Sequence, residues 1–339
     1  MNIKNIEYKI KHNRIWRSIS LIANCLLNIC WRLTYGFRAT LWYVFFIKGT
    51  RNHILKKSGL QIIHEDDHFT NFATWLADHI PDKLIELEIE KMEKEPVSNS
   101  NSNWFSTDII KLLDEETKLE ILRFALNDRN INMVCSYLKF VPKLTTISVL
   151  LNKSSKENPL GSQRWHRDWF NHKGLNIFTA LTDINEVRGM YSAIGLDIIP
   201  RFSEICASNQ QSNLNAYDRD RISDNQMKEY INNDNIQNLK GPPGTTALVD
   251  SGWVYHKGGF LKEGYRIMIE ISYQSEQKPP ASVVESVVDT LDLHNSNELC
   301  FILNTRLKRY MVQKRKSGVK LSWRFLWLSR KLTYIYRSM

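Results

Sequence analysis

The chain has 339 residues, 42% hydrophobic and 24% charged. That is enough for a sizeable core and one or two domains, and it excludes a wholly disordered polymer. The formal net charge of +10 is unevenly spread: residues 1–57 carry +10, residues 306–339 carry +11, and the body between them carries −11.

Basic ends of this kind either seek an anionic partner, such as a phospholipid surface, an anionic glycan or nucleic acid, or stand as solvated faces. The five cysteines, Cys25, Cys30, Cys135, Cys206 and Cys300, are odd in number, widely spaced and free of any CxxC. This excludes a disulfide framework or zinc ribbon and suits a reducing, cytoplasmic setting. The charge-free run 19–31 is too short for a membrane span, and Arg32 and Arg38 interrupt the apolar stretch. No small-residue cleavage site follows it, so no secretory signal is expected.

In chain order, the first predicted element is a long amphipathic helix over 14–38. Arg14, Arg17, Ser20, Asn24, Asn28, Arg32, Tyr35 and Arg38 share one face, and Ile15, Ile19, Ile22, Leu26, Ile29, Leu33 and Phe37 the other. Leu21 is the exception, on the polar side. Such a helix suits a membrane interface or packs on the protein body. Helical periodicity then predicts helices at 67–79, 82–94, 107–127 and 131–138, with the Ser/Asn-rich stretch PVSNSNSN at 96–103 as a loop. Thr107 beside Asp108 is read as a helix start.

From Lys143 the character changes. The runs 145–151, 176–182, 245–249 and 266–273 are β-branched and apolar, and turn signals at Asn158–Pro159, Gly189, Gly195 and GPPG (241–244) punctuate them. Short strands so punctuated predict a barrel or jelly roll. The polar stretch 209–238 is expected to be an insertion, helical around 224–231, forming a surface excursion or lid. Helix resumes from 281, and 306–339 interleaves Lys/Arg with Tyr310, Trp323, Phe325, Trp327, Tyr334 and Tyr336. That mixture suits a lipid headgroup zone, and no nucleic-acid recognition motif accompanies it.

Chemistry concentrates in two segments. In QRWHRDW at 163–169, His166 and Asp168 are two apart, so on a strand both face one side. Alone, the pair is weak and more often a hydrogen bond than a metal site. Ninety residues on, His256 follows the strand 245–249, and Arg266 comes ten residues later at the start of another strand. Two His and one carboxylate on one face of an octahedral ion leave three positions open, which is the facial triad of non-haem iron(II) oxygenases. A bidentate 2-oxo acid and dioxygen would fill them. The far carboxylate of 2-oxoglutarate then needs a buried cation, and the planar fork of Arg suits it.

These residues resemble the phytanoyl-CoA dioxygenase-like family of 2-oxoglutarate oxygenases over about 140–275. Gln163 with Trp165, His166 and Asp168 is similar to that family's Q-x-W-H-x-D. LTDINE at 181–186 followed by Gly189, and GPPGTTALVD at 241–250, are similar to its strand turns. The chain departs from the pattern at 193–196, AIGL where G-S-H is usual, and at Gly258, where a hydroxyl is common. The resemblance implies a double-stranded β-helix, or jelly roll, within an α+β chain. It implies His166, Asp168 and His256 as ligands of Fe(II), Arg266 as the salt-bridge partner of 2-oxoglutarate, and Gln163 as a hydrogen-bond donor to it.

The implied organisation is a basic helical segment at 1–57, a helical region at 58–140 packing on the core, the jelly roll at 141–278 interrupted by 209–238, and a helical basic and aromatic tail at 279–339. The implied reaction oxidises 2-oxoglutarate to succinate and carbon dioxide while hydroxylating an unactivated C–H bond. Asp168 favours hydroxylation, because halogenating relatives carry a small residue there. The substrate is expected to be a small-molecule, lipid-linked or sugar-containing compound, and the basic ends suggest work at the inner face of an anionic membrane. Two readings stand beside this one: a catalytically silent metal-binding jelly roll serving binding or assembly, and a zinc hydrolase, which leaves Arg266 unexplained. His172, His64, His68 and His79 are read as surface residues, and Trp165 and Trp169 as core packing.

Overall fold

The computed structural model describes residues 53–94, 105–140, 142–154, 159, 161–168, 174–198 and 221–274. The amphipathic helix 14–38, the loop 96–103, Trp169, His172 and everything beyond 274 lie outside the described residues.

Two long strands set the frame. Strand β3 (Lys143–Lys153) and strand β9 (Tyr265–Gln274) pair antiparallel along their length. Strand β9 alternates along its length, and β3 does so after a register shift between Leu144 and Thr146. Ile267, Ile269, Ile271 and Tyr273 of β9, with Ile147, Val149 and Leu151 of β3, join one large apolar cluster. Arg266, Met268, Glu270, Ser272 and Gln274 occupy the opposite face, as the two-residue period of a strand requires. Around this pair runs a six-stranded sheet in the order β1-β7-β4-β9-β3-β2, built with β1 (Leu60–Ile63), β2 (Ser106–Asp108), β4 (Gly174–Ala180) and β7 (Thr246–Val249). A second sheet, β6-β5-β8, contains β5 (Tyr191–Ile194), β6 (Ile236–Leu239) and β8 (Tyr255–Lys257). Every pairing within both sheets is antiparallel.

Helices cover one face of the large sheet. After α1 (His53–Ser58) come α2 (Asp67–Asp78), α3 (Asp82–Lys94), α4 (Glu115–Ala125) and α5 (Asp128–Leu138). Phe69, Leu76, Ile121, Leu122, Val134 and Leu138 bury their side chains in the same cluster as the outward residues of β3 and β9. Side-chain oxygens of Asp66, Asp114 and Asn127 accept from backbone N–H groups in the first turns of α2, α4 and α5, which fixes where those helices begin. The other face of the sheet meets the small one: Phe178, Ala180, Ala247, Val249 and Met268 pack with Tyr191, Ala193 and Leu239.

The described chain is therefore α+β. The expected helix at 107–127 is instead strand β2, a 3-10 turn at Ile110–Leu112, and α4. Thr107 does not start a helix. It pairs with Leu151 of β3, and Asp114 is the true cap. Region 58–140, expected as helical, also supplies edge strands β1 and β2. The polar stretch is not wholly a surface excursion. Ile222, Met227 of the short helix α6 (Asp224–Lys228) and Ile231 are buried against Trp165, Ile194 and Tyr255, and β6 is hydrogen-bonded to β5. A tertiary contact with Trp165 overrides the polar composition there.

Candidate metal centre

The backbone at 165–168 is not a regular strand. It makes two isolated antiparallel bridges, Trp165 with Ile222 and His166 with His256. The His166–His256 bridge has both hydrogen bonds, each 2.9 Å, so the two residues lie directly opposite and face the same way. Asp168 is held in turn by its N–H donating to the Ser251 carbonyl at 2.8 Å. The result is a tight cluster. His166 Nε2 lies 3.7 Å from Asp168 Oδ1, and His256 Nε2 lies 3.8 Å from Asp168 Oδ2. One ligand atom from each of the three residues falls within 4.8 Å of the others.

Both imidazoles are oriented from behind. His166 Nδ1 donates to the Arg164 carbonyl at 2.8 Å, and His256 Nδ1 to the Val254 carbonyl at 3.1 Å. A carbonyl only accepts, so each ring carries a proton on Nδ1 and turns its Nε2 toward Asp168. Burial holds the His166 pKa well below the ordinary histidine range, with His256 and Arg221 adding to the effect. His166 is therefore a neutral imidazole, the form that binds metal.

Does this donor set fit an ion? Ligands about 2.0–2.2 Å from a common metal lie ~3 Å apart at adjacent positions, so the two contacts to Asp168 need close by less than ~1 Å and the widest separation in the cluster by less than ~2 Å. Two imidazoles and a carboxylate suit iron(II) or zinc rather than the oxygen-seeking calcium or magnesium. The ligand set by itself does not choose between those two.

Arg266 is buried, at 4% exposure, on the face of β9 that turns toward the small sheet. Its Nε and Nη2 donate to Asn152 Oδ1, at 3.2 and 2.8 Å, and its Nη1 donates to the Gly189 carbonyl. Gly189 has φ +70, and a Cβ there would come within 2.3 Å of the Leu261 side chain, so the turn requires glycine. Both acceptors are neutral, and among the described residues no carboxylate pairs with the guanidinium. Two of its five N–H groups have no acceptor there. Burial lowers its pKa to about 10. A Cβ on Gly258 would stand 3.9 Å from Arg266 Nη2, so the missing side chain leaves space beside the guanidinium. A buried cation with spare donors and room beside it fits the carboxylate of a ligand. Gln163 is buried in the 3-10 turn Gly161–Gln163, three residues before His166.

No protein-family model matches this chain, and no curated protein matches it. Solved structures do. HygX from Streptomyces hygroscopicus, with nickel and 2-oxoglutarate bound, is 12% identical over 66% of this chain and 85% of its own, with a TM-score of 0.37. SnoN, a non-heme alpha-ketoglutarate-dependent epimerase from nogalamycin biosynthesis, is 12% identical over 77% and 91%, with a TM-score of 0.39. AviO1 from Streptomyces viridochromogenes Tue57 is 14% identical over 69% and 100%, with a TM-score of 0.40. At these values the likeness bears on neither substrate nor reaction.

Two further residues line the centre without having been singled out in the sequence. Tyr191 of β5 stacks on His256, centroids 5.7 Å apart at 22°. Its phenol pKa is pushed well above 10 by burial, then by Asp168 and Glu270, so it stays protonated. Glu270 of β9 accepts from Asn176 Nδ2 and from Ser272 Oγ, both at 3.2 Å. Burial and then Asp168 push its carboxyl up to about 7. A signal for Glu270 existed: in RIMIEISY it stands four residues from Arg266, hence on the same face of a strand. His68, read as a surface residue, is half-buried and stacked 4.8 Å from Phe124, with Nε2 bonded to Asn130. Trp165 is core, as expected, at 1% exposure.

Proposed function

We propose that this chain is an iron(II)- and 2-oxoglutarate-dependent oxygenase of the phytanoyl-CoA dioxygenase-like type. Its two facing antiparallel sheets are read as the jelly roll of that family. The observation that carries the proposal is Arg266, a buried guanidinium without an anionic partner among the described residues, opening the strand that follows His256. The zinc-hydrolase reading leaves this cation unexplained, whereas a 2-oxo diacid would pair with it.

Iron(II), 2-oxoglutarate and dioxygen together supply the oxidation of an unactivated C–H bond, with succinate and carbon dioxide as coproducts. The chain's residues prepare the site. His166 and His256 present Nε2 because nearby backbone carbonyls hold Nδ1–H. Asp168 supplies the negative charge that offsets a divalent ion and occupies the position that would otherwise admit a halide. Arg266 holds the far carboxylate of the cosubstrate, and Gln163 donates to it. Buried Trp165 and Tyr191, with Tyr255, keep bulk water from the histidines. The substrate is read as a small-molecule, lipid-linked or sugar-containing compound. Among the described residues no helix is long and apolar enough to cross a membrane, and the basic ends are read as peripheral contacts to an anionic surface.

The test is release of labelled carbon dioxide from 2-oxoglutarate labelled in its C1 carboxylate, with no other substrate added. Slow release that needs iron(II), His166 and His256 is expected. Iron uptake without any release would leave the catalytically silent binding module instead.

A further inference from the structure

The pocket-facing row of β9 carries two charged groups, Arg266 and Glu270, separated by four residues or ~13 Å of strand. Arg266 is assigned to the cosubstrate. Glu270 is not a ligand of the metal cluster, and it sits where its charge reaches Asp168 and Tyr191. Both of its hydrogen bonds fall on Oε1. Oε2 accepts none among the described residues, and no Lys, Arg or His there pairs with it. Asn176 opposes Ser272 across the β4–β9 ladder and commits its Nδ2 to Glu270 and, at 3.0 Å, to Ser251 Oγ. Asn176 is fully buried, and its Oδ1 has no hydrogen-bond partner. The Tyr191 hydroxyl is likewise buried without one. Thr146, Ser148 and Leu150, on the same face of β3, are only partly buried, so this end of the row is reachable.

The local chemistry is therefore an excess of acceptors. Asn176 Oδ1 is buried without a donor, which is costly, and beside it Glu270 Oε2 accepts no hydrogen bond from the described residues. A ligand with several N–H groups and a positive charge answers both. We propose that Glu270, with Asn176, Ser272 and Ser251, forms the substrate-recognition pole of the pocket and takes an ammonium group, so that the substrate is an amine. This rests on the oxygenase reading for the word substrate, but the amine site itself does not depend on it. The raised pKa of Glu270 agrees: an anion held there without a counter-charge is penalised, and a bound cation removes the penalty.

The test is isothermal titration of the full chain without added metal, which prevents amines from ligating an ion. Ethanolamine, glucosamine and cyclohexylamine are each paired with the hydroxyl counterpart, ethylene glycol, glucose and cyclohexanol. At least one amine is expected to bind about tenfold or more tighter than its counterpart. Glu270→Gln, which keeps shape but loses charge, should bring the pair within about threefold, and Glu270→Asp should retain part of the preference. Equal binding of every pair, binding of no amine, a preference surviving in Glu270→Gln, or Glu270→Asp behaving like Glu270→Gln would each overturn the proposal. Failure of the oxygenase reading would leave these titrations unchanged. Loss of amine preference would in turn leave metal uptake by the histidines intact.

Discussion

Replacing Arg266 with Met distinguishes a cosubstrate anchor from a structural residue. Burial lowers the guanidinium pKa to about 10, equivalent to about 3 kcal/mol held against the charge in the fold. Met removes that cost. It also strips donors from Asn152 Oδ1 and the Gly189 carbonyl, at about 1–3 kcal/mol each. The opposing terms offset each other in part, so the ligand-free protein should change by no more than ~3 kcal/mol. Cosubstrate binding should change far more. Two charge-assisted hydrogen bonds at about 1.5–3 kcal/mol each correspond to roughly a hundredfold loss of affinity or greater. The assay is thermal melting with nickel(II), a redox-silent stand-in for iron, and rising 2-oxoglutarate. The wild type should gain ~2.7 kcal/mol once the ligand exceeds its dissociation constant a hundredfold. Arg266→Met should melt near the wild type without ligand and gain almost nothing with it. A variant that melts much lower alone, yet is stabilised by 2-oxoglutarate as the wild type is, would refute the reasoning.

Other consequences are as direct. Asp168→Ala should abolish carbon dioxide release and weaken nickel(II) binding, by equilibrium dialysis, beyond the ~100-fold loss typical of groups behind a ligand. Tyr137→Phe removes the buried hydrogen bond to Asp250 Oδ2 at 2.6 Å, and should cost about 2 kcal/mol by urea unfolding. Asp114→Ala should cost about 1 kcal/mol at neutral pH by loss of the α4 cap. The Thr117 N–H holds the Asp114 carboxyl below its ordinary value, so this contribution is present above the unfolded pKa of about 4 and fades as pH falls through the lower folded value. The gap between the two melting curves should therefore close in acid and stay open at pH 7.

Much of the centre was legible in the sequence because metal chemistry restricts residue type and spacing together. His166, Asp168 and His256 converge as expected, although the expected strand at 166–168 is only a bridge held by its neighbours' carbonyls. The four β-branched runs became β3, β4, β7 and β9, where alternation and burial agree. The short strands β1, β2 and β8 were not legible. Three or four residues carry too little periodicity, and their pairing is decided by partners far along the chain. Strand β2 is the clearest case: Thr107 and Asp108 look like a helix start locally, but pairing with Leu151 and Leu150 prevails. Glu270 and Asn176 escaped notice because each lies inside a run read only for its apolar character, and Tyr191 because no strand was expected at 191–194. Their meaning comes from the face they share, which requires the register.

The central claim meets its most direct test in an anaerobic titration of iron(II) and then 2-oxoglutarate into the full chain, watched for the weak visible charge-transfer band of a 2-oxo acid chelated to iron. The account predicts a band that is absent in His256→Ala and weakened in Arg266→Ala. Iron demonstrably bound with no band on saturating 2-oxoglutarate would contradict it.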